Sequence, residues 1–291
     1  MATGDNTTLV LADSLDDVSA SARSRRNFEG VVTQLVENVT LNANSGTSWK
    51  ELLFEKLEAS AIDETTLNEN FQRYDDSAIT ITPQMVQITT FVTDKAKRNL
   101  SSLGLAQMGA LAGNAMMRKK DDDGITALDT STTQLGAAGT PISVGDVASA
   151  RYRITSNTTE RGGLTGISFV GHGFVIKDFF DELTAGIGTY PVPDGSTAQV
   201  FTGGFSLPIA SVAIFEDGNI PIDTNSDAKS FVFAREAWVL VSGMSIKTEV
   251  ERMPRRGGGG EAVTMTDEFA YGQRSAGNWS YEIIADATAP A

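Results

Sequence analysis

The chain has 291 residues, 41% of them hydrophobic, which suits one or two domains with real cores and excludes both a stapled mini-protein and a wholly disordered chain. With 37 acidic and 23 basic side chains the formal charge is −14, a poor balance for wrapping nucleic acid. No cysteine and one histidine, His172, exclude disulfides, thiolate zinc sites, iron–sulfur clusters, cysteine nucleophiles and multi-histidine metal centres.

Residues 1–13 carry neither the basic nor the apolar part of a secretion signal, and no apolar run approaches the roughly 18 residues of a membrane span, so a soluble chain made in the cytosol is the expectation. Residues 1–27 are small and polar, with Asp13, Asp16 and Asp17 followed by Arg23, Arg25 and Arg26, and read as an arm without a core of its own. From Phe28 to Val39, apolar residues at 28, 31, 32, 35, 36 and 39 predict an amphipathic helix that needs a surface to lie on. The cluster Asn42–Gly46 is a turn. Leu52, Leu53, Phe54 and Leu57 suit either a short helix or a strand. Ala61–Asp76, carrying Asp63, Glu64, Glu69, Asp75 and Asp76, reads as an exposed excursion. The alternation Ile79–Thr82 and the β-branched run Met85–Val92 read as extended chain, and the stretches flanking the acidic segment are expected to form a long two-stranded flap.

Thr93-Asp94 is a cap for a helical turn at Lys95–Leu100. The spacing of Leu105, Met108, Leu111, Ala112, Ala115 and Met116 predicts a helix over 107–120, with Arg118, Lys119 and Lys120 at the negative end of its dipole and Asp121–Gly124 ending it. Ile125–Thr140, rich in Thr, Gly and Ala, reads as a loop. An α/β region follows, with a helix at Val144–Tyr152, a strand at Gly166–Val170, a helix at Val175–Leu183 and a turn at Gly186–Gly188. Apolar segments in Phe201–Phe215 are broken by Pro208, and Asp217-Gly218-Asn219 is a turn. Ser230–Ala234 reads as a buried strand and Arg235–Leu240 as a short helix. Ile246–Val250, Val263–Tyr271 and Trp279–Ile283 are three strand-like pieces suited to antiparallel pairing with one another.

Few residues suggest chemistry. His172 lies between Gly171 and Gly173, and without a Gly-x-Ser-x-Gly motif it reads as a structural histidine in a tight turn. Neither Gly171-x-Gly173 nor Gly186-x-Gly188 has the third glycine of a dinucleotide fingerprint. Asp121, Asp122 and Asp123 lack the alternation and distal Glu of a calcium loop, and read as a helix terminator. No catalytic, cofactor-binding or metal-binding residue is assigned, and no cofactor is expected. Arg252, Arg255 and Arg256 with the glycines 257–260 make a cationic loop, and Arg23, Arg25 and Arg26 a second cationic cluster. Two readings stand: solvated loops, or subunit-interface residues that meet acidic surface on another copy, namely Asp63, Glu64, Glu69, Asp75 and Asp76.

The order of the parts is an arm, an acidic flap, a cap, a small-residue helix, a glycine-rich lobe and returning strands. With Leu57–Ile62, Ile88–Asp94, Leu111–Leu128, Gly186–Pro191, Arg235–Ala237, Tyr271-Gly272 and Asp286–Thr288, it resembles the major capsid proteins of tailed bacteriophages, the Hong Kong 97-type family, from about residue 28 onward. The resemblance implies an α+β fold with an N-terminal arm (1–48), an E-loop with flanking strands (49–92), a peripheral domain with its spine helix (93–158), an axial domain (159–229) and a return to the peripheral domain (230–291). It implies a structural protein rather than an enzyme, self-assembling through pentamers and hexamers into an icosahedral shell around double-stranded DNA that it does not read by sequence. A separate scaffolding protein, a portal and cement proteins are the implied partners, with no membrane, and the virion, assembled in the host cytoplasm, is the implied location. An acidic inner wall would repel packaged DNA and let it slide. The alternatives are an encapsulin-type nanocompartment, against which the arm before Phe28 speaks, and a carboxylate-based hydrolase or an adhesin.

Overall fold

The computed structural model describes residues 5–6, 30–42, 46–54, 57–59, 61–62, 71–99, 102–131, 133–157, 162, 166–185, 208–256, 258–274 and 278–290. The expectations for Arg23, Arg25, Arg26, Asp63, Glu64, Glu69 and the turn at Gly186–Gly188 lie outside the described residues.

In chain order the elements are β1 (Asp5–Asn6), α1 (Val32–Leu35), β2 (Glu37–Thr40), β3 (Trp49–Phe54), β4 (Asp76–Ile81), β5 (Gln84–Thr93), α2 (Asp94–Asn99), α3 (Ser102–Leu128) and β6 (Gln134–Gly136). They continue with α4 (Val144–Thr155), β7 (Ile167–Gly171), α5 (Gly173–Ala185), β8 (Ala213–Glu216), β9 (Asp227–Ala234), β10 (Trp238–Arg252), β11 (Gly260–Gln273) and β12 (Ser280–Asp286).

One sheet has the order β1-β5-β11-β10-β2, antiparallel at its centre, with the outer strands β1 and β2 parallel to their neighbours. A second has the order β6-β12-β9-β7-β8, again antiparallel at the centre with parallel outer strands. The third is the two-stranded flap, where β3 and β4 pair antiparallel from Trp49↔Ile81 to Phe54↔Asp76. The main core joins the second sheet to the helices: Phe169, Phe231 and Phe233 pack with Ile125 and Leu128 of α3, Val147, Ala150 and Ile154 of α4, and Val175 and Phe179 of α5. Period-two geometry splits the start of β10 between two cores, since Trp238 and Leu240 join the main cluster while Val239 and Val241 pack with Ile81 at the flap base.

Local signals are met where a cap or an alternation defines them. The Thr93 hydroxyl accepts the Ala96 N–H at 3.1 Å to start α2, and Ser143 and Asp146 form a reciprocal capping box on α4. The structure corrects four expectations. Of the helix expected over Phe28–Val39, the described residues 30–39 form a single turn, α1, followed by β2, because Glu37–Thr40 hydrogen-bond in parallel to Val239–Ser242 and Val39 packs on the flap-base cluster. The helix expected over Arg235–Leu240 is one 3-10 turn, Arg235–Ala237, then strand: Trp238–Val241 are buried on both sides, which a sheet covered on two faces accommodates. The helix expected to end at Asp121 runs on to Leu128, and the loop expected over Ile125–Thr140 accordingly shrinks to a turn and β6. Last, the three C-terminal strands do not form one sheet: β10 pairs with β11, but β12 pairs with β9 and β6.

Candidate functional site

The flap is anchored at one end and uncovered at the other. Trp49, Ile79 and Ile81 pack against Val239 and Val241, and Arg274 at the end of β11 clamps the base. Its Nε donates to Glu51 of β3 at 2.7 Å, its Nη1 donates to Glu37 of β2 and, at 3.2 Å, to the Glu236 carbonyl. The guanidinium hydrogen bond holds the Glu37 carboxyl below its ordinary range against the opposing effect of burial. Away from this clamp, Leu52, Phe54, Leu57, Ile62, Phe71 and Tyr74 are all exposed, Phe54 by 67% and Phe71 by 91%. Large apolar side chains left exposed on β3 and on the chain leading to β4 mark a surface suited to completion by another molecule.

The sequence-derived interface residues are placed as follows. Asp75, partly exposed, pairs with Arg73 in its own strand approach, and Asp76 opens β4 on the surface. The cationic loop is the hairpin between β10 and β11, and it is tied to its own chain. Arg252 reaches both carboxylate oxygens of Asp94, at 2.8 and 3.3 Å, and Arg256 lies 5.0 Å from the Phe91 ring centre. Gly259, at φ +101°, turns its carbonyl onto the Asp94 N–H at 2.9 Å, a backbone conformation that favours glycine. Arg255 is exposed at the tip.

The aspartate triplet has a role other than ending its helix. Asp122 and Asp123 face outward and pair with Arg118 and Lys119 one turn earlier, while Lys120 is held by the nearly buried Asp267 at 2.8 Å and sits 4.7 Å from the Phe269 ring centre. Asp121 points inward. Its Oδ1 accepts the Val32 N–H at 3.2 Å and its Oδ2 accepts Asn219 Nδ2 at 2.9 Å. Beside it, Asp217 accepts the Asn219 N–H at 2.9 Å and the Val31 N–H at 3.4 Å, so the first amides of α1 are received by two aspartates distant in sequence. Burial, reinforced by the neighbouring Asp121 charge, pushes the Asp217 carboxyl up to about 7. Gly124, one turn beyond Asp121, lets Val32 and Tyr271 approach the helix: a Cβ there would meet them at 2.8 and 3.0 Å.

His172 is an N-terminal cap of α5. Its Nδ1 accepts the Phe174 N–H at 3.2 Å, its carbonyl accepts the Val175 and Ile176 N–H groups, and burial holds the imidazole below its ordinary range against the attraction of Glu216. A groove of about 740 Å³ runs between α3 and the first sheet, lined by Met85, Lys119, Asp123, Trp238, Phe269 and Tyr271 among others. Sequence reading missed Arg274, Glu37, Glu51, Asp217 and Asn219 as a set. Their partners lie 223 and 237 positions away for Arg274 and 98 and 186 positions away at the aspartate junction, so no local pattern marks them.

No protein-family model matches this sequence, and no curated protein matches it. Solved structures do match. The capsid of cyanophage P-SCSP1u is similar with a TM-score of 0.72 at 12% identity, covering 96% of this chain and 95% of that one. The capsid of a native GTA particle is similar at 0.65 and 14% identity, covering 97% and 99%. The SrpI encapsulin of Synechococcus elongatus is similar at 0.65 and 12% identity, covering 96% of each. The similarity extends over nearly the whole length, and the chain has the α+β Hong Kong 97-type capsid fold.

Proposed function

We propose that this chain is the structural subunit of a tailed-bacteriophage capsid, which assembles through pentamers and hexamers into an icosahedral shell around double-stranded DNA. The observation that carries the reading is the flap: a strand pair clamped at its base by Arg274, with Phe54 and, ahead of its second strand, Phe71 exposed to solvent, on a capsid fold. In this reading residues 1–48 are the arm, 49–92 the E-loop with its flanking strands, 93–158 the peripheral domain with α3 as spine helix, 159–229 the axial domain and 230–291 the return to the peripheral domain. Arm and E-loop reach neighbouring copies. Arg23, Arg25, Arg26 and Arg255 meet the acidic Asp63, Glu64, Glu69, Asp75 and Asp76 of a neighbour, while Arg252 and Arg256 brace the hairpin that carries Arg255. A separate scaffolding protein, a portal and cement proteins complete assembly in the host cytoplasm, and the product is the virion. The charge of −14 supports a wall that repels packaged DNA, and binding of purified shells to duplex DNA at low salt would argue against that part.

The test is sedimentation velocity with negative-stain microscopy of the chain expressed alone and with its neighbouring genes. Closed shells, or rings of five and six subunits, are the expected result. A stable monomer at high concentration, unchanged by scaffold candidates, overturns the reading. The similarity to an encapsulin favours a second reading, a nanocompartment shell around a protein cargo. Mass spectrometry of purified shells separates the two, since the capsid reading expects DNA inside and no cargo enzyme.

A further inference from the structure

The root of the N-terminal segment, residues 30–36, is held by two carboxyl groups that are both sealed from solvent, Asp121 at 1% exposure and Asp217 at 0%. One comes from the inward side of α3 and the other from the turn after β8, and Asn219 bridges them by donating its side-chain amide to Asp121 and its backbone N–H to Asp217. The root contributes the Val31 and Val32 N–H groups, and its backbone closes the site: a Cβ on Gly30 would lie 1.7 Å from the Asp121 Cγ. Two carboxylates so enclosed repel if both are ionised. With one proton between them they make a hydrogen bond instead.

We propose that Asp121 and Asp217 form a pH-dependent latch, which fastens residues 30–36 to α3 and to the 217–219 turn while the pair holds one proton and loosens that segment when the proton is lost. The burial that raises Asp217 to about 7 puts the release in the neutral range. The charged groups around the pair do not take over the proton's role. On α3, Asp122 and Asp123 are paired outward with Arg118 and Lys119, and Lys120 is held by Asp267 of β11. On β11, the Tyr271 hydroxyl donates to the Lys120 carbonyl at 3.0 Å, and burial raises this phenol so that it stays neutral. Glu216 ends β8 directly before Asp217, His172 follows Gly171, whose carbonyl accepts the Asp217 N–H, and residues 30–36 carry no titratable side chain. Glu37, the next residue beyond α1 and Val36, is taken by Arg274.

The latch does not depend on the shell reading and is tested on the full chain in whatever assembly state it adopts. Hydrogen exchange of peptides covering residues 30–36 is followed from pH 5.5 to 8.5 and corrected for the intrinsic pH dependence of exchange. Protection is expected to fall about tenfold for each pH unit above the pair's titration, as the protonated fraction falls, while peptides from α4 stay constant. In Asp217→Asn, which does not titrate and whose NH2 takes the place of one of the two oxygens that accept the Val31 and Asn219 N–H groups, protection of the root is expected to be lower throughout but flat with pH. A flat profile in the unsubstituted chain, or the same fall in Asp217→Asn, overturns the proposal. Should Asp217→Asn fail to fold, the unsubstituted profile decides alone, and Asp121→Asn repeats the comparison from the other side of the pair.

Discussion

Replacing Phe54 and Phe71 together by serine removes the two uncovered phenylalanine rings of the flap. Full burial of a phenylalanine side chain stabilises by about 1.5–3 kcal/mol. With Phe54 67% exposed and Phe71 91% exposed in the free chain, docking on a neighbour recovers about 1–2 kcal/mol from the first and nearly the full amount from the second. The double substitution therefore weakens one flap contact by about 2.5–5 kcal/mol, or roughly two to nearly four orders of magnitude in its association constant. Because neither ring is part of a core and most of each is already exposed, the chain itself loses only about 1 kcal/mol. The assay is sedimentation velocity across a concentration series, with urea unfolding of the same samples. The expected outcome is a urea midpoint lowered only slightly, with shell formation shifted to at least a hundredfold higher concentration, or abolished. Shells that form at the concentration of the unsubstituted chain would refute the assignment of the flap as the assembly contact.

Gly124→Ala, a substitution that normally favours a helix by about 1 kcal/mol, is expected to destabilise by about 1–3 kcal/mol because the new methyl meets Val32 and Tyr271; urea unfolding reads the sign. Arg274→Met leaves Glu37 and Glu51 facing each other without their cation, with an expected loss of about 2 kcal/mol and faster hydrogen exchange across β3 and β4 before the rest of the chain; unchanged exchange there would show that the clamp does not hold the flap. Two opposite pH slopes are expected in the unfolding free energy. Asp217 is raised from its ordinary 3.8, so the folded chain binds the extra proton and stability falls as pH rises from about 4 to about 7, a slope that Asp217→Asn removes. His172 is lowered from its ordinary 6.5, so the unfolded chain binds the extra proton and stability is lost as pH falls below about 6.5, a slope that His172→Gln removes. Urea midpoints at half-unit steps of pH check both, and a variant that keeps the slope assigned to it rules out that assignment.

What could be read directly from the sequence had short-range causes. Ser143 with Asp146, Thr93 before α2, and the alternation of Ile79 and Ile81 each satisfy backbone groups or a sheet face within a few residues. The errors fall where a distant partner decides the conformation. Val36–Thr40 carries helical spacing but is drawn into strand by Val239–Ser242. The aspartates after Lys120 look like a stop signal because three like charges in a row oppose a helix, yet pairing to Arg118 and Lys119 and the inward turn of Asp121 remove that opposition. At the candidate interface, the acidic excursion and the arginine loop were legible from charge, but the tie of Arg252 to Asp94 was not, since 158 positions separate them. The exposure of the flap rings was equally out of reach: composition places Phe and Leu in cores, and only the geometry shows them left outside.

The strand order has a consequence for biogenesis. β2 pairs with Val239–Ser242 and β5 pairs with Gly260–Phe269, so the strands on either side of the flap wait for partners about 200 and about 170 residues further on. At a ribosomal rate of about 5–20 residues per second, that is roughly ten to forty seconds in which the first half of the polypeptide has no sheet to join. During that interval the flap base also lacks Val239, Val241 and Arg274, the groups that fix its orientation. A nascent or truncated polypeptide therefore cannot present a correctly aimed flap, and in the proposed shell incorporation would be reserved for chains whose synthesis has passed β11. On the proposed function, topology would thereby act as a checkpoint on completeness, keeping ribosome-bound fragments out of the lattice without any dedicated inspection factor.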